Sequence, residues 1–182
     1  MRARELVVLT LALAGCPRTS PSITPSAAVE AESEPAPEPL LPDRPANREA
    51  GEVLELTIPL LGADPLELAS LRGRPVVLDI SASWEEGWAE LHAFEAELVA
   101  AHPELAVIVV SAEADERSLE GLPSSLLPAW DPAGALAAKL SIAVFPTLFV
   151  LDREGRIIAV SSGWDDETLD VLAQVIDDAL AQ

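Results

Sequence analysis

The sequence predicts an α/β domain in which strands are interleaved with helices. Three observations predict it. Pro75 to Ile80 is a near-continuous apolar run that passes through Ser81-Ala82-Ser83-Trp84 into a stretch of helical periodicity. Leu105 to Val110 is a second apolar run of strand length, of the kind covered on both faces. Leu148 to Leu151 and Arg156 to Val160 flank the turn Asp152-Arg153-Glu154-Gly155 and read as a hairpin. Strands interleaved with helical segments belong to layered α/β architectures.

In chain order, Val53 to Ile58 alternates apolar and polar residues and reads as a strand. Leu66-Glu67-Leu68 and Leu71-Arg72-Gly73-Arg74-Pro75 precede the apolar run from Pro75 to Ile80. A helix is expected from about Gly87 to Ala101, with Trp88, Leu91, Phe94, Leu98 and Ala101 on its inner face. The acidic, proline-interrupted segment from Ala112 to Pro128 reads as a short helix and a loop. Asp131-Pro132 opens a helix through Leu140, with proline at an early helical position. Asp165 or Asp166 caps the last helix, which turns Leu169, Leu172, Val175, Ile176, Ala179 and Leu180 inward.

Composition excludes some functions. Lys and Arg number 11 against 31 Asp and Glu, a formal charge of −20. Nucleic acid is therefore not an expected partner, because phosphate contacts need clustered Lys and Arg. Binding to anionic lipid through charge alone is excluded on the same ground. Cys16 is the only cysteine. A dithiol catalyst needs two.

The stretch around Trp84 resembles the thioredoxin superfamily, in particular the membrane-anchored TlpA-like thiol–disulfide proteins. Their pattern at this point reads roughly F-W-A-x-W-C-x-x-C, and Ser81, Ala82, Ser83 and Trp84 fall in step with it. Glu85 stands where the first cysteine would be and Trp88 where the second would be. Phe145-Pro146-Thr147, Asp131-Pro132-x-Gly134 and Leu151-Asp152-x-x-Gly155 extend the resemblance over residues 53–181. It implies a thioredoxin-like fold, a central mixed β-sheet flanked by helices on both faces, with Pro146 as the cis proline facing the old redox motif. A glutamate keeps the negative charge that a helix N-terminus favours but has no nucleophilic sulfur. The indole of Trp88 must pack under the helix or displace neighbours. Disulfide exchange fails at both atoms.

The resemblance also matches Asp79 to the buried aspartate that assists proton transfer in thioredoxins. Desolvation would raise its pKa. It is either a retained acid–base group, a relic, or a structural hydrogen-bond acceptor. Trp84, Glu85, Phe145, Pro146 and Thr147 line the surface where active relatives dock an extended partner segment, so a binding groove is expected there; the alternative is that Trp84 and Phe145 simply pack. No cofactor is expected. No metal is expected either: His92, at the edge of the helix's apolar face, and His102, near its end, read as boundary or surface residues, and two histidines without clustered acids make no zinc site. Ser81 and Ser83 have no identifiable histidine partner.

Residues 1–15 look like a bacterial lipoprotein signal peptide. Arg2 and Arg4 begin it, Leu6 to Ala14 is an apolar run too short to span a bilayer, and Leu13-Ala14-Gly15-Cys16 matches a lipobox. The implied chemistry is lipidation of Cys16, which consumes its sulfur. Residues 17–50 hold eight prolines and are rich in Ala and Glu, the composition of a disordered spacer. Residues 51–182 form the domain. The expected protein is a lipid-anchored, extracytoplasmic thioredoxin-like domain that binds a protein partner in the cell envelope. The outer membrane is favoured, since Pro17 replaces the aspartate associated with inner-membrane retention in some bacteria. The alternative is an enzyme-class role, as acid–base chemistry on Asp79 and Glu85 or within a thiol–disulfide complex whose partner supplies the thiols.

Overall fold

The computed structural model describes residues 48–181. The expected signal peptide, Cys16 and linker residues 17–47 lie outside the described residues.

The segment 53–58 buries Leu54, Leu56 and Ile58 and exposes Glu55 and Thr57, as its alternation predicts. Its ladder is shorter than expected. Only β1 (Thr57–Ile58) pairs, antiparallel to β2 (Leu66–Glu67), while Val53 bridges to Arg156. A 3-10 turn at Leu68–Leu71 leads into β3 (Val76–Ser81), which is buried along its whole length. Helix α1 spans Trp88–Ala101 and β4 spans Ala106–Ser111. The sequence between them and the next helix holds a strand that its prolines concealed: β5 (Leu127–Trp130) pairs parallel to β4, with Pro128 opposite Val109. Proline is tolerated there because β5 is the edge of the sheet.

Helix α2 is shorter than expected, Ala135–Lys139, and starts after Gly134 at φ 62°. Asp131 caps it from a distance, its two carboxylate oxygens accepting from Ala135 N at 2.9 Å and Leu136 N at 2.7 Å. β6 (Thr147–Leu151) and β7 (Ile157–Ser162) form the expected hairpin, with a register shift between Val150 and Leu151. Asp152 holds its turn, accepting from Gly155 N through its main-chain oxygen and from Arg156 N through its side chain. Helix α3 (Asp166–Leu180) is capped by Asp165, which accepts from Thr168 N at 2.8 Å.

The main sheet has the order β5-β4-β3-β6-β7, with β3 parallel to β4 and antiparallel to β6. This is the mixed sheet the resemblance implies, and β3 lies at its centre. Successive β3 side chains alternate between two cores. Val76, Leu78 and Ile80 pack with Ile108, Val110, Phe149, Leu151 and the α2 residues Leu136 and Ala137. Val77 packs on the opposite face with Val107, Val109, Leu148 and Val150, beneath Leu91 of α1 and Leu172 and Ile176 of α3. By alternation Asp79 and Ser81 also point to this second face, toward α1.

Candidate functional site

The site is built where β3 ends. The loop after β3 is tied to the loop after β4: Ser83 N donates to Glu113 Oε1 at 2.5 Å, and Trp130 Nε1 donates to Glu113 O at 2.8 Å. Between Ala82 and Trp88 the chain makes two turns, with Glu85 N donating to Ala82 O and Trp88 N to Glu85 O. Gly87, at φ 78°, is the N-cap of α1. A side chain there would also collide with the indole of Trp164, so two independent constraints require glycine. This left-handed residue delays the helix. Glu85 therefore precedes the N-cap by two residues, near the helix end but outside its first turn. Its Oε1 instead accepts from Trp84 Nε1 at 3.1 Å.

Trp84 is 62% exposed. Its ring stands edge-on to Phe145, with centroids 6.1 Å apart and planes at 84°. The Phe145–Pro146 bond is cis. Pro146 O accepts from Gly163 N at 2.8 Å, whereas Phe145 makes no main-chain hydrogen bond among the described residues. Of the five residues expected to form a groove, Trp84, Glu85 and Phe145 reach solvent. Pro146 and Thr147 are buried, and Thr147 Oγ1 donates inward to Val144 O at 2.7 Å.

Beneath this surface lies a buried polar cluster. Asp79 and Glu95 are 0% exposed and His92 is 1% exposed. A proton lies between His92 Nε2 and Asp79 Oδ2, 2.8 Å apart. Glu95 Oε2 is 3.8 Å from the same nitrogen, beyond hydrogen-bond reach. Asp79 Oδ1, Ser81 Oγ, His92 Nδ1 and both oxygens of Glu95 are buried without partners. Half-buried Trp88 covers His92 edge-on, with ring centroids 4.3 Å apart and planes at 87°. The indole at the second redox position is thus packed against the helix's own polar residue.

Burial governs the electrostatics. It raises the Asp79 carboxyl above its ordinary range, opposed by the hydrogen bond and charge of His92 and by a smaller influence from Ser81, whose hydroxyl makes no full hydrogen bond. Burial pushes Glu95 well above its range, and the neighbouring Asp79 charge pushes it further. Asp79 and Glu85, the pair considered for acid–base chemistry, have different partners: the first is bonded to His92 and the second to Trp84.

Two residues of this cluster escaped the sequence reading. His92 is not a boundary residue, and the acids said to be lacking around a histidine are present as Asp79 and Glu95. The expected inner stripe of α1 ran through residues 88, 91, 94, 98 and 101. In the structure Leu91, His92 and Glu95 are buried and Ala101 is exposed. Leu91, Phe94 and Leu98 pack on the second core as expected, and the buried face extends beyond them to take in His92 and Glu95, at i+4 and i+7 from Trp88. A polar pair at that spacing, opposite an aspartate inside an apolar strand, was the available signal. His102 is half-buried, at the end of α1, and its Nε2 lies 3.2 Å from Asp177 Oδ1.

No protein-family model matches the chain, and no curated protein does. Solved structures do. A protein designated a thiol:disulfide interchange protein DsbE, from Chlorobium tepidum, is 22% identical with a TM-score of 0.67, covering 73% of this chain and 98% of that one. A protein designated a disulfide isomerase, from Bacteroides thetaiotaomicron, is 25% identical with a TM-score of 0.66, covering 76% and 94%. The exposed lipoprotein thioredoxin of Streptococcus pneumoniae is 20% identical with a TM-score of 0.56, covering 69% and 99%. These chains are matched over nearly their whole length. With the mixed five-stranded sheet, the flanking helices and the cis proline before β6, they lead to one conclusion: this chain has a thioredoxin-like fold.

Proposed function

We propose that the protein is a lipid-anchored, envelope-side thioredoxin-like domain that binds a protein partner and performs no dithiol chemistry of its own. The observation that carries this reading is the exposed indole of Trp84 against Phe145, beside the cis Phe145–Pro146 bond, where the two thiol positions hold Glu85 and Trp88. Neither replacement side chain forms a thiolate or a redox couple. A large aromatic left in solvent next to an unpaired stretch of main chain suits an extended peptide segment. Main-chain hydrogen bonds at Phe145 would supply affinity, and Trp84 an aromatic contact. Glu85 would favour a segment carrying basic residues.

Anchoring rests on the lipobox at Leu13-Ala14-Gly15-Cys16 and on the linker composition that follows it. Among the described residues no helix is long and apolar enough to cross a membrane. Acyl chains on Cys16 would supply the attachment, at about 0.8 kcal/mol per buried CH₂.

The test is crosslinking and affinity capture from native membranes, comparing the wild type with a Trp84→Ala, Glu85→Lys double variant that folds equally well. A partner captured by the wild type and lost in the variant supports the reading. Equal capture by both moves any interaction off this surface. A second arm restores cysteines with Glu85→Cys and Trp88→Cys. Disulfide-reductase activity appearing only in that variant separates the scaffold's capacity from the natural chain's chemistry.

A further inference from the structure

We propose that Asp79, His92 and Glu95 form a structural site for a divalent first-row cation of the zinc class, tying β3 to α1 beneath the surface described above. The proposal is independent of any partner binding there.

The cluster offers one nitrogen and two carboxylate oxygens, all within 4.8 Å of one another. Ligands bonded to zinc at about 2.0–2.2 Å in tetrahedral geometry stand about 3.3 Å apart. The distances to His92 Nε2, 2.8 Å from Asp79 Oδ2 and 3.8 Å from Glu95 Oε2, bracket that spacing. Both carboxylates approach the same ring nitrogen, the arrangement three ligands take around a common centre.

The second, independent observation is what the cluster lacks. Glu95 is fully buried and neither of its oxygens has a hydrogen-bond partner. It is aimed at His92 Nε2 but stands too far away to bond to it. Buried carboxylates without partners are rare because desolvation opposes them strongly. A proton on Glu95 removes its charge but still leaves a hydroxyl without an acceptor. A divalent cation removes both problems at once. Two carboxylates, one neutral imidazole and one M²⁺ sum to zero charge, the condition for burying the set. Ser81 Oγ, on the same face of β3, is also buried without a partner. Mixed imidazole and carboxylate ligands suit zinc among the common divalent ions. Because the ligands are buried, the ion enters as the chain folds.

The experiment uses the full chain, stripped with EDTA under denaturing conditions and refolded with and without Zn²⁺. We expect about one zinc per chain by elemental analysis. Zinc should raise the melting temperature by ~5 °C or more over the metal-free protein, and chelation during refolding should remove the gain. Cobalt in place of zinc should give a tetrahedral absorption spectrum without a thiolate charge-transfer band. Glu95→Gln and His92→Gln should each abolish stoichiometric binding. Where either variant fails to fold, X-ray absorption on the zinc-loaded wild type decides, and one imidazole among oxygen ligands is the expected shell. The proposal is overturned by a folded wild type that takes up no zinc and shows no shift in melting temperature. Binding that survives both substitutions overturns it, as does a shell containing sulfur or two imidazoles.

Discussion

The two faces of the central sheet are equally closed to solvent but differently filled. Under α2, the face built from Val76, Leu78, Ile80, Ile108, Val110, Phe149 and Leu151 is apolar except for the hydroxyl of Thr147, which donates to Val144 O. Under α1 and α3, the second face starts the same way with Val77, Val107, Val109, Leu148 and Val150, and then admits Asp79, Ser81, His92 and Glu95. Burial stabilises the first face at about 25 cal/mol per Å² of apolar surface. On the second it opposes the charges of Asp79 and Glu95. The polar face also lies beneath Trp88, whose ring packs edge-on to His92. A face that fills itself with carboxylates and an imidazole has a requirement that packing alone does not meet.

The largest effect should come from the apolar face. Phe149→Ala is expected to lower unfolding stability by about 3–5 kcal/mol, measured by urea denaturation. A loss below about 1 kcal/mol would remove Phe149 from the core and with it the contrast between the faces.

On the polar face, single and paired substitutions should diverge. With metal excluded, His92→Ala strands Asp79 without a partner and should lower stability by about 3–5 kcal/mol. Replacing both with apolar residues, Asp79→Val with His92→Leu, should recover most of that loss and could exceed the wild type. If the double variant is as damaged as the single, the pair stabilises the fold in its own right and the two faces are alike.

Glu95→Gln sharpens the same point through pH. Burial holds Glu95 above its ordinary range, so the folded, metal-free protein retains a proton that the unfolded chain releases. Its contribution is greatest below about pH 4.3 and is lost as pH rises from there through the folded value. In chelator at neutral pH, Glu95→Gln should therefore raise stability by about 1–3 kcal/mol and flatten this fall. Denaturation curves across pH 4–8 read both quantities. An unchanged slope would mean that Glu95 is not the group responsible.

Gly87→Ala tests the support between the cluster and the surface. The left-handed backbone at φ 78° and the Trp164 indole both oppose a side chain. A loss of about 1–3 kcal/mol is expected, read by thermal unfolding. The smallest effect belongs to the exposed site: Trp84→Ala should change stability by no more than about 0.5 kcal/mol while weakening partner capture. A large loss of stability would show that the indole is packing and not recognition.

The legibility of the molecule in its sequence followed the same division. Runs such as Val76–Ser81 and Ala106–Ser111 declare themselves because every residue is buried and the residue types say so. The hairpin turn at Asp152–Gly155 and the Asp165 cap are local chemistry, settled by a few neighbouring residues. β5 was concealed because an edge strand tolerates Pro128 and propensity argues against it. The N-terminus of α2 was placed too early because Gly134 takes a left-handed conformation that composition does not announce.

By itself the sequence determined most of the order of strands and helices, the presence of Glu85 and Trp88 where the strand passes into the helix, and the presence of an aspartate within a buried strand. The tertiary structure decided what that aspartate meets. The apolar pattern of α1 marked Trp88, Leu91, Phe94, Leu98 and Ala101 as its inner face, and Leu91, Phe94 and Leu98 do pack on the core, but the pattern left open how far the buried face extends to either side of them. Periodicity fixes the angle between residues on a helix but not the rotation of the helix against a sheet. Packing against β3 chose that rotation, and in choosing it brought His92 and Glu95 to Asp79.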